Sequence, residues 1–428
     1  MISKKLVAAS ILAAMGTSAH AIGFKAGEWE MDISGSINAY YTSSSCDSFG
    51  SGGAGLVTAN GTALNVCGTT GAAGQDSNNI QNGLLPGFIV FTAKTKQAGY
   101  DISGTISIDP GTSVDDGTFS GGRGQAVGDN RRVFLTFGNE SMGTFKFGRD
   151  IGLFGQNAIL NDMSLLAVGG GAAVNGAINT TLGGIGQGYI YTQFQPQMTY
   201  TAPAMGNLSL SAGVFQPIQG TVASGSNGSR DTGFQGLATY SLGETGKIWG
   251  ALINQSRDTV AATAGTPATA DLTTGVVTPG TAATGSQSDI AGYEIGTALN
   301  FGALGLVGNY FSGEGLGTAL IGLGGADALG QERDSQGYML QATYKVGNTK
   351  FGVNYGVSSL DATSNDANSA NGILDENEQL VLGVYHSLTP SLTIAGEYIT
   401  NTMKFQRTTA TPVDAESDTI AVGAILFF

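Results

Sequence analysis

Few side chains of this 428-residue chain could carry out catalysis. Nucleophilic and acid–base mechanisms commonly pair a histidine with a serine, cysteine or aspartate. The chain has two histidines. His20 lies in the N-terminal segment that is interpreted below as an export signal, and His386 comes at the end of a predicted strand beside a short turn, where a structural or interfacial role is favoured. The sequence therefore predicts no enzyme, no catalytic residue and no cofactor.

Two cysteines, Cys46 and Cys67, lie in a stretch rich in Gly, Ser, Thr and Asn between Ser43 and Asn82. Disulfides form and persist in exported proteins. A metal site would need histidine or acidic ligands at suitable spacing, and only Asp47 is close. We therefore expect a Cys46–Cys67 disulfide that staples a loop.

A segment from Asp366 to Gly372 superficially resembles a calcium-binding loop. Its glycine comes one position later than in the EF-hand spacing, and Ala370 stands where an oxygen ligand is required. No metal site is predicted there, and adventitious calcium binding is the alternative.

The beginning of the chain has the features of a secretory signal. Lys4-Lys5 precedes an apolar run from Leu6 to Met15, and Ala19-His20-Ala21 supplies the small residues of a cleavage site. The sequence thus divides into a signal peptide, residues 1–21, and a single domain, residues 22–428. Without the two signal lysines, 16 of the 18 basic residues stand against 32 acidic ones, a formal charge of −16. This balance disfavours nucleic acid as a partner.

Beyond the signal, polar and apolar residues alternate with period two, as in strands with one polar face. Thr144 and Lys146, for example, alternate with Phe145 and Phe147. No stretch after residue 21 has the roughly 20 apolar residues of a membrane helix, so a membrane-spanning chain must form a closed barrel. Sixteen candidate strands are predicted, at about 31–42, 84–97, 99–109, 130–138, 144–152, 190–202, 207–216, 232–242, 246–256, 289–300, 303–312, 335–346, 348–358, 377–387, 391–404 and 417–428.

Short connections between these strands alternate with long ones rich in Gly, Ser, Thr, Asn and Asp. Seven short turns and eight long loops place both termini on the periplasmic side, as outer-membrane barrels require. The last strand ends in Phe427-Phe428, which favours such a barrel over a soluble, exported β-sandwich or β-helix. The predicted fold class is all-β, a transmembrane antiparallel β-barrel of 16 strands.

Two hairpins carry a resemblance to a known family. The first is Arg131-Arg132-Val133-Phe134-Leu135-Thr136-Phe137, a short turn, and Gly143-Thr144-Phe145-Lys146-Phe147-Gly148-Arg149. The second is Met198-Thr199-Tyr200-Thr201-Ala202-Pro203, followed by Gly206 and the strand from Asn207 to Phe215. These hairpins resemble those of the general porins of Gram-negative bacteria. The layout of the whole mature chain is similar to theirs, although the specific motifs cover only a small part of it.

The resemblance implies a trimeric, sixteen-stranded barrel whose third long loop folds inward and narrows the pore. That loop would run from about Leu153 to Gly188. In the family, acidic residues on this loop face basic residues on the wall, and the field between them sorts solutes. Here the loop carries one acid, Asp162, and no base, and the family's Pro-Glu-Phe-Gly-type segment is missing. A weak field, or a constriction lined by Asn, Ser and backbone groups, is expected.

Alternation assigns the basic residues beside this loop to faces of the wall. Lys146 alternates with phenylalanines and is expected to point into the pore. Arg132 shares a face with Thr136 and is the better candidate for the family's strand-leading arginine. A one-residue shift in the turn would exchange it with Arg131, and either arginine could instead cap a strand near the headgroups. Arg149 falls on the apolar face, where a charge is costly in lipid, so a subunit-interface pairing is expected. The predicted pore or constriction residues are Arg131, Arg132, Lys146 and Asp162.

The predicted function is passive diffusion of small hydrophilic solutes and ions through a water-filled pore. Many carboxylates lie in or beside long loops, where a negative vestibule would give a mild cation preference. Alternatively, these acids keep the loops soluble or bind divalent ions that bridge to lipopolysaccharide. A gated transporter would need an N-terminal plug domain, for which the sequence leaves no room before the first strand.

Two other functions stay open, because the loop after Phe154 is apolar. A substrate-specific channel would take a less polar or uncharged solute. A barrel occluded by the loop would serve as a surface scaffold or adhesin. The expected partners are small solutes and ions, outer-membrane lipid including lipopolysaccharide, and two further copies of the chain in a homotrimer.

Overall fold

The structure is a computed structural model. It describes residues 22–46, 76–112, 130–170, 180–218, 231–258, 269–271, 276–278, 287–327, 330–368, 373–406 and 414–428. The predicted signal peptide, residues 1–21, and Cys67 lie outside the described residues, so the cleavage site and the Cys46–Cys67 disulfide stay predictions. Within these ranges, no helix has the length and apolar character needed to cross a membrane.

Antiparallel strands make up most of the described chain. Their bounds are β1 Ile22–Ala26, β2 Trp29–Cys46, β3 Ser77–Gln81, β4 Phe88–Gln97, β5 Tyr100–Ile108, β6 Val133–Asn139, β7 Gly143–Ile151, β8 Phe194–Thr201, β9 Leu208–Phe215, β10 Gly233–Ser241, β11 Gly246–Asp258, β12 Thr269–Asp271, β13 Val276–Thr278, β14 Gln287–Phe301, β15 Leu304–Glu314, β16 Asp334–Val346, β17 Thr349–Leu360, β18 Ile373–Ser387, β19 Leu392–Gln406 and β20 Ala415–Phe427. Strands β12 and β13 pair only with each other.

The remaining eighteen described strands form one sheet that closes on itself. The closing pair is β2 with β20, in register from Ser36 opposite Phe427 to Cys46 opposite Ser417. Strands β3 and β4 both pair with β2 on the side away from β20 and share one position in the wall. Strand β1 pairs with β2 on the same side as β20, beyond its end, and shares the position of β20. The predicted sixteen-strand antiparallel barrel is therefore confirmed.

The two faces of the wall differ as the period-two pattern predicts. On β18, Leu382 and Val384 are exposed, whereas Val381 and Tyr385, which flank them along the strand, are buried. The exposed face carries large apolar side chains all round the barrel, as a surface in contact with lipid requires. The buried face mixes polar side chains with apolar ones and points into the enclosed space.

Strands are joined by short turns at one end of the barrel and by long connections at the other. Gly347 in the two-residue turn between β16 and β17 has φ +57°, a backbone conformation that glycine adopts without steric cost. One of the long connections contains the helix α1, Gln156–Asn161, and a 3-10 helix, Met163–Leu166. Irregular segments from the long connections supply the luminal side of the buried core.

Candidate pore and its luminal segments

The connection between β7 and β8, residues 152–193, runs across the inside of the barrel. Its backbone and side chains contact inner-wall residues of strands from β10 round to β2, which is possible only from within the enclosed space. The contacts are Leu153 N and Phe154 N with Gln235 Oε1 on β10 (2.8 and 3.0 Å), Asn157 Oδ1 with Lys247 Nζ on β11 (2.7 Å), Met163 N with Gln341 Oε1 on β16 (2.7 Å), Val168 N and Gly169 N with Glu397 Oε2 on β19 (2.9 and 2.7 Å), and Leu166 O with Tyr40 OH on β2 (2.7 Å).

Asp162 holds two distant parts of this segment together. Its carboxylate accepts hydrogen bonds from Ser164 N (2.9 Å), Ser164 Oγ (2.6 Å), Gly184 N (2.9 Å) and Tyr189 OH (2.7 Å). The residue is only 3% exposed. The structure therefore corrects the expectation that Asp162 presents its charge to the pore, because neutral donors surround the carboxylate and exclude water from it.

Two further segments join the first inside the barrel. Residues 82–87 bind it through Leu84 N to Ala167 O and Thr181 N to Gly83 O, both 2.9 Å. On the other side, the connection between β15 and β16 binds it through Tyr191 N to Ala319 O (2.8 Å). We call the described parts of 82–87, 152–193 and 315–325 the luminal layer.

The part of the luminal layer from 315 to 325 was not predicted from the sequence. Leu316 and Ile321 are buried against Phe311 and Ile290, which belong to the inner face of the wall. The sequence signal was weak, because this stretch is rich in glycine and its apolar residues follow neither the strand period nor the helix period. Only its buried position shows that a second long connection enters the lumen.

Lys146 lies on the inner face, on the side expected from alternation. Its ammonium group forms an ion pair with the buried Asp150, four residues along the same strand, and lies 5.1 Å from the centre of the Phe134 ring. Arg132 lies near these residues, with its guanidinium 5.5 Å from the centre of the Phe88 ring. Lys146 and Asp150 thus lie on β7, and Arg132 lies near them, one residue before β6 begins.

Arg131 and Arg149 lie on the other face, and both contact Phe194. The Arg131 guanidinium is 5.7 Å from the centre of the Phe194 ring, and Arg149 Nε donates to Phe194 O at 3.3 Å. Nearby, Val133 and Met198 are exposed, so these arginines share the outward face. This placement separates Arg131 from the inward Arg132, with which the sequence had grouped it.

The remaining singled-out residues have structural contacts. His386 Nδ1 and Thr349 Oγ1 form a hydrogen bond of 2.9 Å near the short-turn end of the barrel. Asp366 accepts hydrogen bonds from the Arg333 guanidinium, whereas residues 369–372 of the calcium-like sequence lie outside the described residues. The inner-wall residues Lys345 and Lys350, at the same end as His386, were not singled out from the sequence.

These features, a closed sixteen-strand barrel with an apolar outer face and a chain segment crossing its lumen, coincide with a sequence match. The sequence model of the Gram-negative porin family matches residues 8–404. The chain belongs to the Gram-negative porin family. It is an outer-membrane channel through which solutes diffuse, not an enzyme. A search of curated proteins found no significant match.

Solved structures of similar fold cover nearly the whole porin. The outer membrane channel DcaP of Acinetobacter baumannii has a TM-score of 0.63 at 13% identity, over 94% of this chain and 99% of that one. The anion-selective porin from Comamonas acidovorans has a TM-score of 0.56 at 16% identity, over 94% and 100%. Salmonella typhi OmpF in complex with daunomycin has a TM-score of 0.55 at 13% identity, over 95% and 100%. At these identities the likeness establishes the fold.

Proposed function

We propose that this porin passes small hydrophilic solutes and ions by passive diffusion and that its luminal layer sets the size limit. The observation that supports this proposal is the crossing of the lumen by residues 152–193, anchored to β10, β16 and β19 on different sides of the wall. A segment tied down at both sides narrows the passage without needing an energy source to move it. Side chains fixed in this way discriminate by size and polarity.

Planar-bilayer recordings on the purified, refolded chain test this function. We expect stepwise conductance increases that are ohmic at low voltage, together with liposome swelling in small sugars that falls as the sugar grows. Folded protein that inserts without conducting would contradict the proposal. Folding is checked separately by the heat-modifiable mobility of the barrel in SDS gels.

We propose a mild cation preference as a property of the outer mouth. Of the loop carboxylates that predict it, Asp361 and Asp375 are exposed at the long-connection ends of β17 and β18. Glu376 and Glu378 instead share the outward face of β18 with Leu382 and pair with Lys404. Fixed negative charge at a pore mouth concentrates cations. The zero-current potential across a tenfold KCl gradient tests this, and a potential of anion-selective sign would contradict it.

We propose that three copies assemble and that the outward patch around Arg149 belongs to their interface. Phe137 and Phe145 stack there with ring centres 5.3 Å apart, and Phe145 lies 4.8 Å from Tyr200. An arginine on the outward face of a membrane strand is costly in lipid and favourable beside a protein partner. Arg149→Ala should reduce the trimer fraction in native gels, with Lys25→Ala as a surface control. An unchanged trimer fraction would assign Arg149 to a lipid contact, for example with lipopolysaccharide.

A second candidate function, a channel for less polar solutes, is favoured by one observation. The luminal layer and inner wall bury large apolar side chains next to the polar anchors, including Phe154, Ile190 and Leu316. An apolar layer that also borders the passage would give faster entry of the less polar of two solutes of equal size, and swelling assays measure this. Equal rates would leave general diffusion as the function.

A further inference from the structure

Two lysines face each other directly on the inner wall at the short-turn end. Lys345 on β16 is the register partner of Lys350 on β17. Their strand neighbours Tyr344 on β16 and Phe351 on β17 are exposed on the outer face. Lys345 and Lys350 therefore lie on the inner face, which they share with the buried Gln341 and Asn354. Directly opposed residues have Cβ atoms roughly 4.5–5.5 Å apart. The two lysine side chains therefore leave the wall side by side, with Lys350 extending toward Tyr385 on the neighbouring β18.

Neither ammonium group forms an ion pair in the described part of the chain. Three other inward lysines differ, because Lys94 pairs with Asp32, Lys96 with Asp101 (3.4 Å), and Lys146 with Asp150. The inward Lys247 instead donates to Asn157 Oδ1 of the luminal layer. Like charges placed directly opposite one another on a sheet are destabilising. An anion bound between Lys345 and Lys350 would remove this repulsion.

Lys350 is held in position by a chain of contacts that reaches the luminal layer. Its Nζ lies 4.8 Å from the centre of the Tyr385 ring. Tyr385 OH donates to Glu397 Oε1 at 2.6 Å, and Glu397 Oε2 accepts from Val168 N and Gly169 N. Both carboxylate oxygens of Glu397 are thus engaged by neutral donors. The ammonium group is fixed without being paired.

The lysine pair lies just beyond the luminal layer along the pore axis. At Gly352, two residues from Lys350 on the same face, a Cβ would collide with Met163 Sδ of the layer. Two residues of a strand span about 7 Å. Lys345 is exposed, so the pair is open to solvent on the short-turn side.

We propose that Lys345 and Lys350 form a binding site for the anionic group of a permeating solute, a carboxylate or a phosphate. The site rests on the proposed diffusion function and specifies one class of solute that it serves. An anion that has passed the luminal layer meets two lysines that are register partners on the inner wall. The acidic outer mouth acts on the other side of the layer, so the two features operate at different depths of the pore.

The test uses the full-length porin in planar bilayers at 0.1 M KCl, where screening is limited to about 10 Å. Succinate and inorganic phosphate, added on either side, serve as probes. We expect both to reduce the wild-type conductance. In Lys345→Gln/Lys350→Gln the concentration for half of this effect should rise about tenfold, and the zero-current potential should shift toward cations. A response to phosphate alone would restrict the site to phosphate.

Two matched variants separate a local site from a general charge effect. Lys345→Arg/Lys350→Arg keeps both charges and should retain the response to the probes. Lys96→Gln removes one inward charge that is paired with Asp101 and should leave the response unchanged. A double Gln variant that conducts and responds to both probes like the wild type overturns the site but not the channel. A wild type that inserts without conducting overturns both.

Discussion

Two buried carboxylates in this porin each hold a non-strand segment in place, and their hydrogen-bonding partners differ. Asp162 in the luminal layer is surrounded by neutral donors from Ser164, Gly184 and Tyr189. Asp366, in the connection between β17 and β18, instead binds Arg333 through Nε and a terminal guanidinium nitrogen, at 2.9 and 2.7 Å. The first arrangement fixes one segment internally, whereas the second ties two connections together by charge.

The partners follow from what each site must satisfy. In the lumen, the chain leaves backbone N–H groups unpaired by any strand, and a carboxylate that accepts several of them satisfies the layer without adding a buried cation. At the outer end, Arg333 also donates to Gly324 O and Ala326 O. One guanidinium therefore satisfies carbonyls of the entering connection and reaches the carboxylate of its neighbour. The neutral network should be sensitive to side-chain deletion, and the ionic one also to pH.

The largest effect is expected from Asp162→Ala. Three sets of buried donors lose a charged acceptor, and hydrogen bonds to charged groups contribute about 1.5–3 kcal/mol each. We therefore expect a loss of about 4 kcal/mol or more in the stability of the luminal layer. Single-channel conductance should rise and become noisy, and larger neutral polymers should enter the pore. Asp162→Asn, which keeps one acceptor oxygen, should lie between this variant and the wild type. Unchanged conductance and polymer exclusion in Asp162→Ala would contradict the anchoring role.

A smaller effect is expected from Arg333→Ala. Breaking a buried ion pair costs about 3–5 kcal/mol, and Asp366 is the one carboxylate that pairs with Arg333 in the described part of the chain, so we expect about 3 kcal/mol. The measurement is proteinase K cleavage within residues 315–333 and 361–368, which should become faster. Conductance should change less than in Asp162→Ala, because Tyr191 N still binds Ala319 O. Arg333→Lys keeps the charge without the two-point geometry and serves as the control. Cleavage at the wild-type rate would show that other contacts hold the connections.

The third prediction concerns pH and separates the two anchors. Burial alone would raise the pKa of Asp366, but hydrogen bonds from Arg333 and Thr363 and the Arg333 charge outweigh it and hold the pKa below its ordinary value. A lowered pKa contributes stability above the ordinary value of about 3.9 and loses it as the pH falls through the value in the folded protein. The rate at which an acid-tolerant protease cleaves residues 315–333 and 361–368 should thus be constant from pH 8 to pH 5. Cleavage should become faster below about pH 4.

Arg333→Ala provides the reference for this titration. The variant has lost the interaction that lowers the pKa, so its cleavage rate should already be high at pH 7 and should rise less on acidification. A wild type whose cleavage accelerates between pH 7 and pH 5 would contradict the assignment to Asp366.

The wall could be predicted from sequence because each strand carries its own evidence. In β7, Lys146 and its neighbouring phenylalanines take opposite faces as a direct result of strand geometry, and Lys146 is indeed beside the inward Asp150. The family hairpins fixed the approximate register of β6 and β7. The separation of Arg131 from Arg132 needed the structure, because Arg131 and Arg132 precede Val133, the first residue of β6, where alternation alone does not assign faces.

The luminal layer could be predicted only in part. The resemblance pointed to an inward segment near 153–188, but the environment of Asp162 depends on donors from Gly184 and Tyr189, more than 20 residues away. Similarly, nothing local distinguishes the entering residues 315–325 from an exposed glycine-rich loop. Their position depends on packing against Phe311 and Ile290, which the alternating pattern identifies as inward but does not assign to a partner.

The smallest effect is expected from Lys404→Gln, which tests whether burial is the reason that the Arg333–Asp366 pair matters. Lys404 also contacts two carboxylates, Glu376 and Glu378, but the side chains of this group are 33–41% exposed, compared with 7–9% for Arg333 and Asp366. Exposed ion pairs are screened by water and salt and contribute little to stability. Lys404→Gln should therefore be cleaved by proteinase K at the wild-type rate, at both 0.05 and 0.5 M KCl as assay conditions. If Lys404→Gln is cleaved as fast as Arg333→Ala, ion pairs at this end of the barrel stabilise the connections whether or not they are buried. The difference between the Asp366 and Asp162 anchors would then come from the charge of the partner and not from burial.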